Sequence, residues 1–216
     1  MIDVIAKQVL RAVPRGRALV AIDGVDGSGK TTFASNLAHS IVGRPVVVLH
    51  VDNFLNPAAT RHARGRWSPQ GHWLDLYDYE SFYSVALNPL RRGGDGWYRP
   101  ASYDPETDAV QLADAVHAPD DAIVLVEGLF LHRAELVDVW DLSIFLGVPV
   151  EEMVRRLSER DGTNPDAEHE TTQRYVGGQR IYFEEVRPWD RATFVVDNAD
   201  VENPYIVDPA ARQPTQ

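Results

Sequence analysis

Eight consecutive residues constrain this chain more than any other feature. Gly24-Val25-Asp26-Gly27-Ser28-Gly29-Lys30-Thr31 fits G-x-x-x-x-G-K-[ST] without a gap. An apolar run at 18–23 precedes it, and a helical pattern carrying Phe33, Leu37 and Ile41 follows. Such a strand–loop–helix unit turns tightly enough to aim successive backbone N–H groups at phosphate oxygens, and the helix adds the positive end of its dipole. Lys30 offers a point charge to β- and γ-phosphates, and the Thr31 hydroxyl can ligate Mg²⁺. Gly24, Asp26, Gly27, Ser28, Gly29, Lys30, Thr31 and Thr32 are therefore the candidate nucleotide-binding residues, with ATP and Mg²⁺ as the expected cofactors. The chain has only two lysines, Lys7 and Lys30, among many arginines, so a lysine inside this loop fits a role that guanidinium geometry does not fill.

Further apolar runs stand at 45–51, 122–126, 142–146 and 193–196. They show little polar alternation, as expected of strands buried on both faces of a parallel sheet. Helical patterns fall at 30–42, 79–92, 150–160 and 172–186, with Pro149, Glu151 and Glu152 marking a helix start. The predicted class is α/β: a doubly wound, five-stranded, mainly parallel sheet of P-loop NTPase architecture with a helical lid. A length of 216 residues suits one domain over 1–197, with the lid at about 155–175 and an acceptor loop at about 52–79, followed by a loose polar tail over 198–216. The 52–79 connection is long, aperiodic and rich in Pro, Gly, Arg and Trp, which suits a functional loop or surface padding.

Composition removes other classes. A net charge of −11 opposes general affinity for nucleic acid or an anionic membrane. The absence of Cys excludes disulfides, thiolate metal sites and a cysteine nucleophile. Residues 1–13 read as an amphipathic helix interrupted by Asp3, Lys7 and Arg11, and no apolar run approaches the roughly 20 residues that span a bilayer. The expectation is a soluble cytoplasmic protein acting on a small-molecule hydroxyl acceptor, with homo-oligomerisation left open.

The phosphate loop alone does not choose among kinases, GTPases and motors. No N-K-x-D guanine motif is present, and the third apolar run ends Val126-Glu127-Gly128 instead of D-x-x-G. Gly177-Gly178-Gln179 lacks the preceding Ser of a transport-ATPase signature and reads as coincidence. The loop together with Val51-Asp52-Asn53-Phe54, Tyr103-Asp104, Val124-Leu125-Val126-Glu127-Gly128, Arg156-Leu157-Ser158-Glu159-Arg160 and Phe183-Glu184-Glu185 resembles the uridine kinase-like family of P-loop small-molecule kinases, whose relatives include pantothenate kinase and phosphoribulokinase. The resemblance implies that Asp52 orients or deprotonates the acceptor hydroxyl, that Asp78 holds a substrate hydroxyl, and that 156–160 belongs to an arginine-bearing lid. Asp52 also suits a loop cap, and Tyr103 either stacks on a planar substrate or packs in the core. Glu127 ends a buried strand, where a carboxylate binds Mg²⁺ or is simply solvated. Arg156 and Arg160, four apart, share a helical face, while Arg155 points elsewhere.

The candidate catalytic set is thus Asp52, Lys30, Arg156 and Arg160; the substrate-binding set is Asp52, Phe54, Asp78, Tyr103, Arg174 and Arg180; and the metal set is Thr31 and Glu127. The expected reaction is γ-phosphoryl transfer from ATP to an alcohol, with uridine or cytidine leading. The alternatives are another alcohol such as a pantothenate, a sugar or an unusual nucleoside, and a non-catalytic nucleotide sensor. Two departures count against pyrimidines: Leu55 replaces the family's Tyr after Phe54, and no His follows Tyr103-Asp104. Arg61, His62, Arg64 and Arg66, beside Trp67 and Trp73, suit either an anionic or sugar-like acceptor or a solvated basic loop.

Overall fold

The structure, a computed structural model, describes residues 1–208. Its centre is a six-stranded sheet built from β1 (Ala18–Gly24), β2 (Val46–His50), β3 (Ile123–Gly128), β4 (Leu142–Gly147), β5 (Phe194–Asp197) and β6 (Tyr205–Ile206). Their order across the sheet is β6-β5-β4-β1-β3-β2. The first five are mutually parallel and match the apolar runs. The sixth pairs antiparallel with β5, Tyr205 opposite Asp197 and Ile206 opposite Val196. The segment expected to be a loose tail thus supplies an edge strand over part of its length; its remainder, 209–216, lies outside the described residues.

Alternation along β1 builds two cores. Ala18, Val20 and Ile22 face one side, where they meet Ile5 and Val9 of helix α1 (Ile2–Ala12) and Phe33 and Leu37 of α2 (Lys30–Ser40). Leu19 and Ala21 face the other, packing with Trp73, Phe82, Phe130 and Tyr182. A third cluster joins Val25 of the phosphate loop to Met153, Val154 and Leu157 of α4 (Val150–Asp161). Burial of every β1 residue explains the unbroken apolar run. The pattern at 79–92 is one helical rod over 79–90 whose middle, Phe82–Leu87, is π-helical.

The 52–79 connection is compact. Its ends are clasped by Asn56 N–H to Leu76 O at 3.0 Å, by the Leu55–Tyr77 bridge and by Asp78 N–H to Phe54 O at 2.8 Å. Between them, helix α3 (Pro69–Leu74), capped by the Ser68 hydroxyl, lies on α5 (Glu170–Val186). Gly177 and Gly178 make that approach feasible. A Cβ on Gly177 would sit 2.7 Å from Pro69 Cγ, and one on Gly178 2.7 Å from His72 Cδ2. Their pairing in the sequence is a packing requirement. Among the described residues, no helix is long and apolar enough to cross a membrane.

Candidate active site

The C-terminal ends of β1, β2 and β3 define the site's edge, the location where open α/β sheets bind ligands. In register, Ile22 stands beside Glu127, and Glu127 beside His50. β1 runs into the phosphate loop at Gly24, where a Cβ would lie 2.7 Å from both Leu146 O and Ser28 Oγ. No larger residue fits without displacing the neighbouring strand. Gly29, at φ 85°, caps α2, and Lys30 Nζ donates to Gly24 O at 3.2 Å and Val25 O at 2.8 Å. Asn198 Nδ2 donates to Ser28 O at 2.7 Å, so the residue just beyond β5 braces the loop from behind.

Two carboxylates, one beneath this loop and one within it, are held in different ways. Asp23 is fully buried beneath it and accepts from Gly24 N–H at 2.7 Å and from the Tyr182 hydroxyl, with His132 Nδ1 at 2.7 Å. Burial, with Asp23 alongside, pushes the Tyr182 phenol well above its ordinary value, so it stays a donor. Asp26 contacts His72 Nε2 at 3.3 Å and accepts from Gln179 Nε2 at 3.2 Å. Burial acts to raise Asp26, but the His72 hydrogen bond and charge, followed by the charge of Lys30 and the Gln179 amide, outweigh it and hold the carboxyl at about 2. His72 and Gln179 had no distinguishing signal in the sequence.

On the metal side, Thr31 Oγ1 donates to Glu127 Oε1 at 3.1 Å, and His50 Nδ1 lies 2.6 Å from the same oxygen. His50 was overlooked in the sequence, although its position at the end of an apolar run, two residues before Asp52, marks the same sheet edge. Asp52 follows on a single 3-10 turn, Val51–Phe54, and its Oδ1 accepts from the Tyr77 hydroxyl at 2.6 Å. The clasp at the ends of the 52–79 loop brings Tyr77 there. Burial, then Asp52, raises the Tyr77 phenol well above its ordinary value, fixing it as a donor to the carboxylate.

A cleft of 1180 Å³ gathers Asp26, Gly27, Gly29, Lys30, Thr31, Thr32, Asp52, Glu127, Arg156, Arg160 and Arg174 of the candidates. Gly24 and Ser28 form the loop's underside; Ser28 is fully buried. The two candidate arginines of α4 differ. Arg156 is held by Glu152 Oε1 at 2.6 Å and donates to Gly27 O, Asn198 O and Ala199 O, whereas exposed Arg160 pairs with its neighbour Asp161. Arg155 points away, to Glu152 and Glu159.

Besides Gly24 and Ser28, four candidates for substrate binding lie outside the cleft lining. Phe54 is a core residue, its ring 5.0 Å from that of Phe82. Asp78 caps the helix start at Tyr79, accepting from Ser81 N–H at 3.0 Å. Tyr103 packs, with its hydroxyl donating to Asp108 at 2.7 Å. Arg180 is exposed and pairs with Glu168.

No family model matches the chain. Human nicotinamide riboside kinase 1 is 28% identical over 150 residues, covering 69% of this chain and 68% of that protein. A uridine kinase from Lactiplantibacillus plantarum is 24% identical over 153 residues, 68% of this chain and 69% of that protein. Among solved structures, a possible uridine kinase from Bacillus stearothermophilus superposes with a TM-score of 0.69 at 25% identity, covering 90% of this chain and 96% of that one. In sequence and in fold the chain is similar to uridine kinase-like P-loop small-molecule kinases, and these likenesses support a phosphotransferase with an alcohol group as acceptor.

Proposed function

We propose that the protein transfers the γ-phosphoryl group of ATP to a hydroxyl of a small metabolite oriented by Asp52, in a single domain whose 52–79 loop meets the acceptor. The observation that carries this reading is that one cleft contains Lys30, Thr31, Glu127, Arg156 and Asp52 together. The donor set suits Mg²⁺: Thr31 Oγ1 and the Glu127 carboxylate, already 3.1 Å apart, would hold it. Bound there, the ion would neutralise charge on the phosphate oxygens. The loop N–H groups and Lys30 bind the nucleotide's phosphates, and Arg156, anchored to the loop at Gly27 O, lies where charge moves during transfer.

Asp52 aligns the acceptor. The acceptor's hydroxyl oxygen forms a bond to the γ-phosphorus as the bond from that phosphorus to the β,γ-bridging oxygen breaks; ADP leaves with the electron pair, and the hydroxyl proton passes to the Asp52 carboxylate. A carboxylate suffices as acceptor of that proton, because the proton leaves late in a loose transition state and alignment dominates. Tyr77 fixes one Asp52 oxygen and leaves the other for the acceptor.

Uridine and cytidine, implied by the family resemblance, are weakly supported by this geometry. Tyr103 and Asp78 are engaged with Asp108 and Ser81, and no histidine occupies the base-reading position. The relatives are named for riboside and uridine substrates, and at 24–28% identity they support the reaction class. The test is ADP release at fixed Mg-ATP across a panel of hydroxylated metabolites, with Lys30→Ala as the control. Acceptor-stimulated release that Lys30→Ala abolishes is expected. ATP binding without stimulation by any metabolite would favour a nucleotide sensor.

A further inference from the structure

The cleft contains more positive charge than ATP binding uses. Lys30, Arg156 and Arg160 serve the phosphates. A second group, Arg61, His62, Arg66 and Arg174, lines the wall built by the 57–75 segment and α5. Docking of α3 on α5 assembles it, because Arg174 NH1 donates to Arg66 O at 2.6 Å. Arg174 is 5% exposed, and among the described residues this carbonyl is its hydrogen-bond partner. Arg66 lies over the Trp67 ring at 4.9 Å. Among the described residues neither arginine pairs with a carboxylate. Arg61 is partly neutralised by Asp108 at 3.3 Å. The other carboxylates of the cleft are engaged: Asp161 with Arg160, Glu159 with Arg155, and Asp26, Asp52 and Glu127 with the partners described above.

A buried guanidinium without a counter-charge is costly, and the cost is offset when an anion fills the space before it. The docking of α3 on α5 also rests on the glycine contacts and aromatic rings, and the hydrogen bond from Arg174 to a neutral carbonyl leaves its charge uncompensated. We propose that the acceptor carries an anionic group, a carboxylate or a phosphate, seated against Arg66 and Arg174 while its hydroxyl meets Asp52. The inference rests on the kinase reading for the hydroxyl's position. Its reaction is the one written above, with the anionic group a spectator that fixes orientation. His62 is consistent with this: burial lowers its ring below the ordinary value, and Arg174, Arg61 and Arg66 add to that lowering against the opposing charge of Asp108. The same charge would repel the cationic ring of a nicotinamide riboside.

Calorimetry on the full chain tests it, with the phosphate loop saturated by Mg²⁺ and a non-hydrolysable ATP analogue so that added anions cannot occupy that loop. The probes are matched pairs: glycerate and glycerol, pantothenate and pantothenyl alcohol, ribose 5-phosphate and ribose, with uridine and nicotinamide riboside alongside. At least one anionic member should bind tenfold or more tightly than its neutral twin. The pair that responds separates carboxylate from phosphate. Arg66→Gln, at an exposed position where the fold is not at risk, and Arg174→Gln should each weaken that binding at least tenfold. Failure of every anionic probe to bind, equal binding by a neutral twin, tighter binding of uridine or nicotinamide riboside, or unchanged binding in Arg66→Gln overturns the proposal. An anionic alcohol that binds through Arg66 without releasing ADP from Mg-ATP supports the anion site and overturns the kinase reading instead.

Discussion

Asp26→Asn isolates the charge of the loop carboxylate without changing its shape. The side chain is 11% exposed, and Asn keeps an oxygen to accept from Gln179, so the loss is the negative charge facing His72 and Lys30. The fall of Asp26 from 3.8 to about 2 corresponds to about 2 kcal/mol of native-state stabilisation. A carboxyl depressed in the folded state contributes in full above its unfolded value and loses that contribution as pH falls through its folded value. The window therefore runs from about pH 4 down to about pH 2, with about half the effect gone by pH 3. At pH 7 the variant should be about 2 kcal/mol less stable, or roughly 4–8 °C lower in Tm for a chain of this size. Urea unfolding followed by tryptophan fluorescence at pH 7 and pH 3 measures both values, and other titrating groups cancel in the difference. A pH 7 deficit below about 0.5 kcal/mol, or one that does not shrink at pH 3, refutes the reasoning.

Other perturbations follow from the same geometry. Asp52→Asn should retain ATP binding while losing about 10²- to 10⁴-fold in turnover on the true acceptor, measured by steady-state ADP release; a loss under about threefold removes Asp52 from the chemistry. Gly24→Ala places a methyl 2.7 Å from Leu146 O and should cost about 1–3 kcal/mol, read as a Tm drop, with weakened ATP binding. Arg156→Ala should lower both turnover and stability, because it severs bonds to Gly27, Asn198 and Ala199. Arg160→Ala should leave stability within about 0.5 kcal/mol, and equal Tm losses for the two would contradict the distinction.

The legible parts of the sequence were those where local chemistry and burial coincide. β1, β3 and β4 are covered on both faces, so their runs are mostly apolar, and the phosphate loop is a continuous octapeptide whose glycines meet a local steric demand. β6 offers no such signal. Two residues at a sheet edge, one of them exposed Tyr205, carry no periodicity, and their pairing depends on β5 being in place. Asp78 has a helix-capping role that the family resemblance did not suggest. Asp78-Tyr79-Glu80-Ser81 ahead of an apolar run is a helix-start pattern, and its local role was readable beside the one borrowed from the family.

The acceptor side was obscure because long-range contacts determine it. His72 reaches Asp26 across 46 positions and Gln179 across 153, while Tyr77 reaches Asp52 only because the 52–79 loop is clasped at both ends. Gly177-Gly178 shows the same dependence: its meaning, close approach of α3 to α5, exists only in the folded chain. That approach also sets Arg66 against Arg174, turning a basic stretch of loop into a wall with uncompensated charge. The reaction class follows from groups carried on strand ends and a helix start, which one sheet topology places together. On the proposed reading, acceptor choice instead depends on how an inserted loop lies on α5, so relatives can share the first while differing in the second.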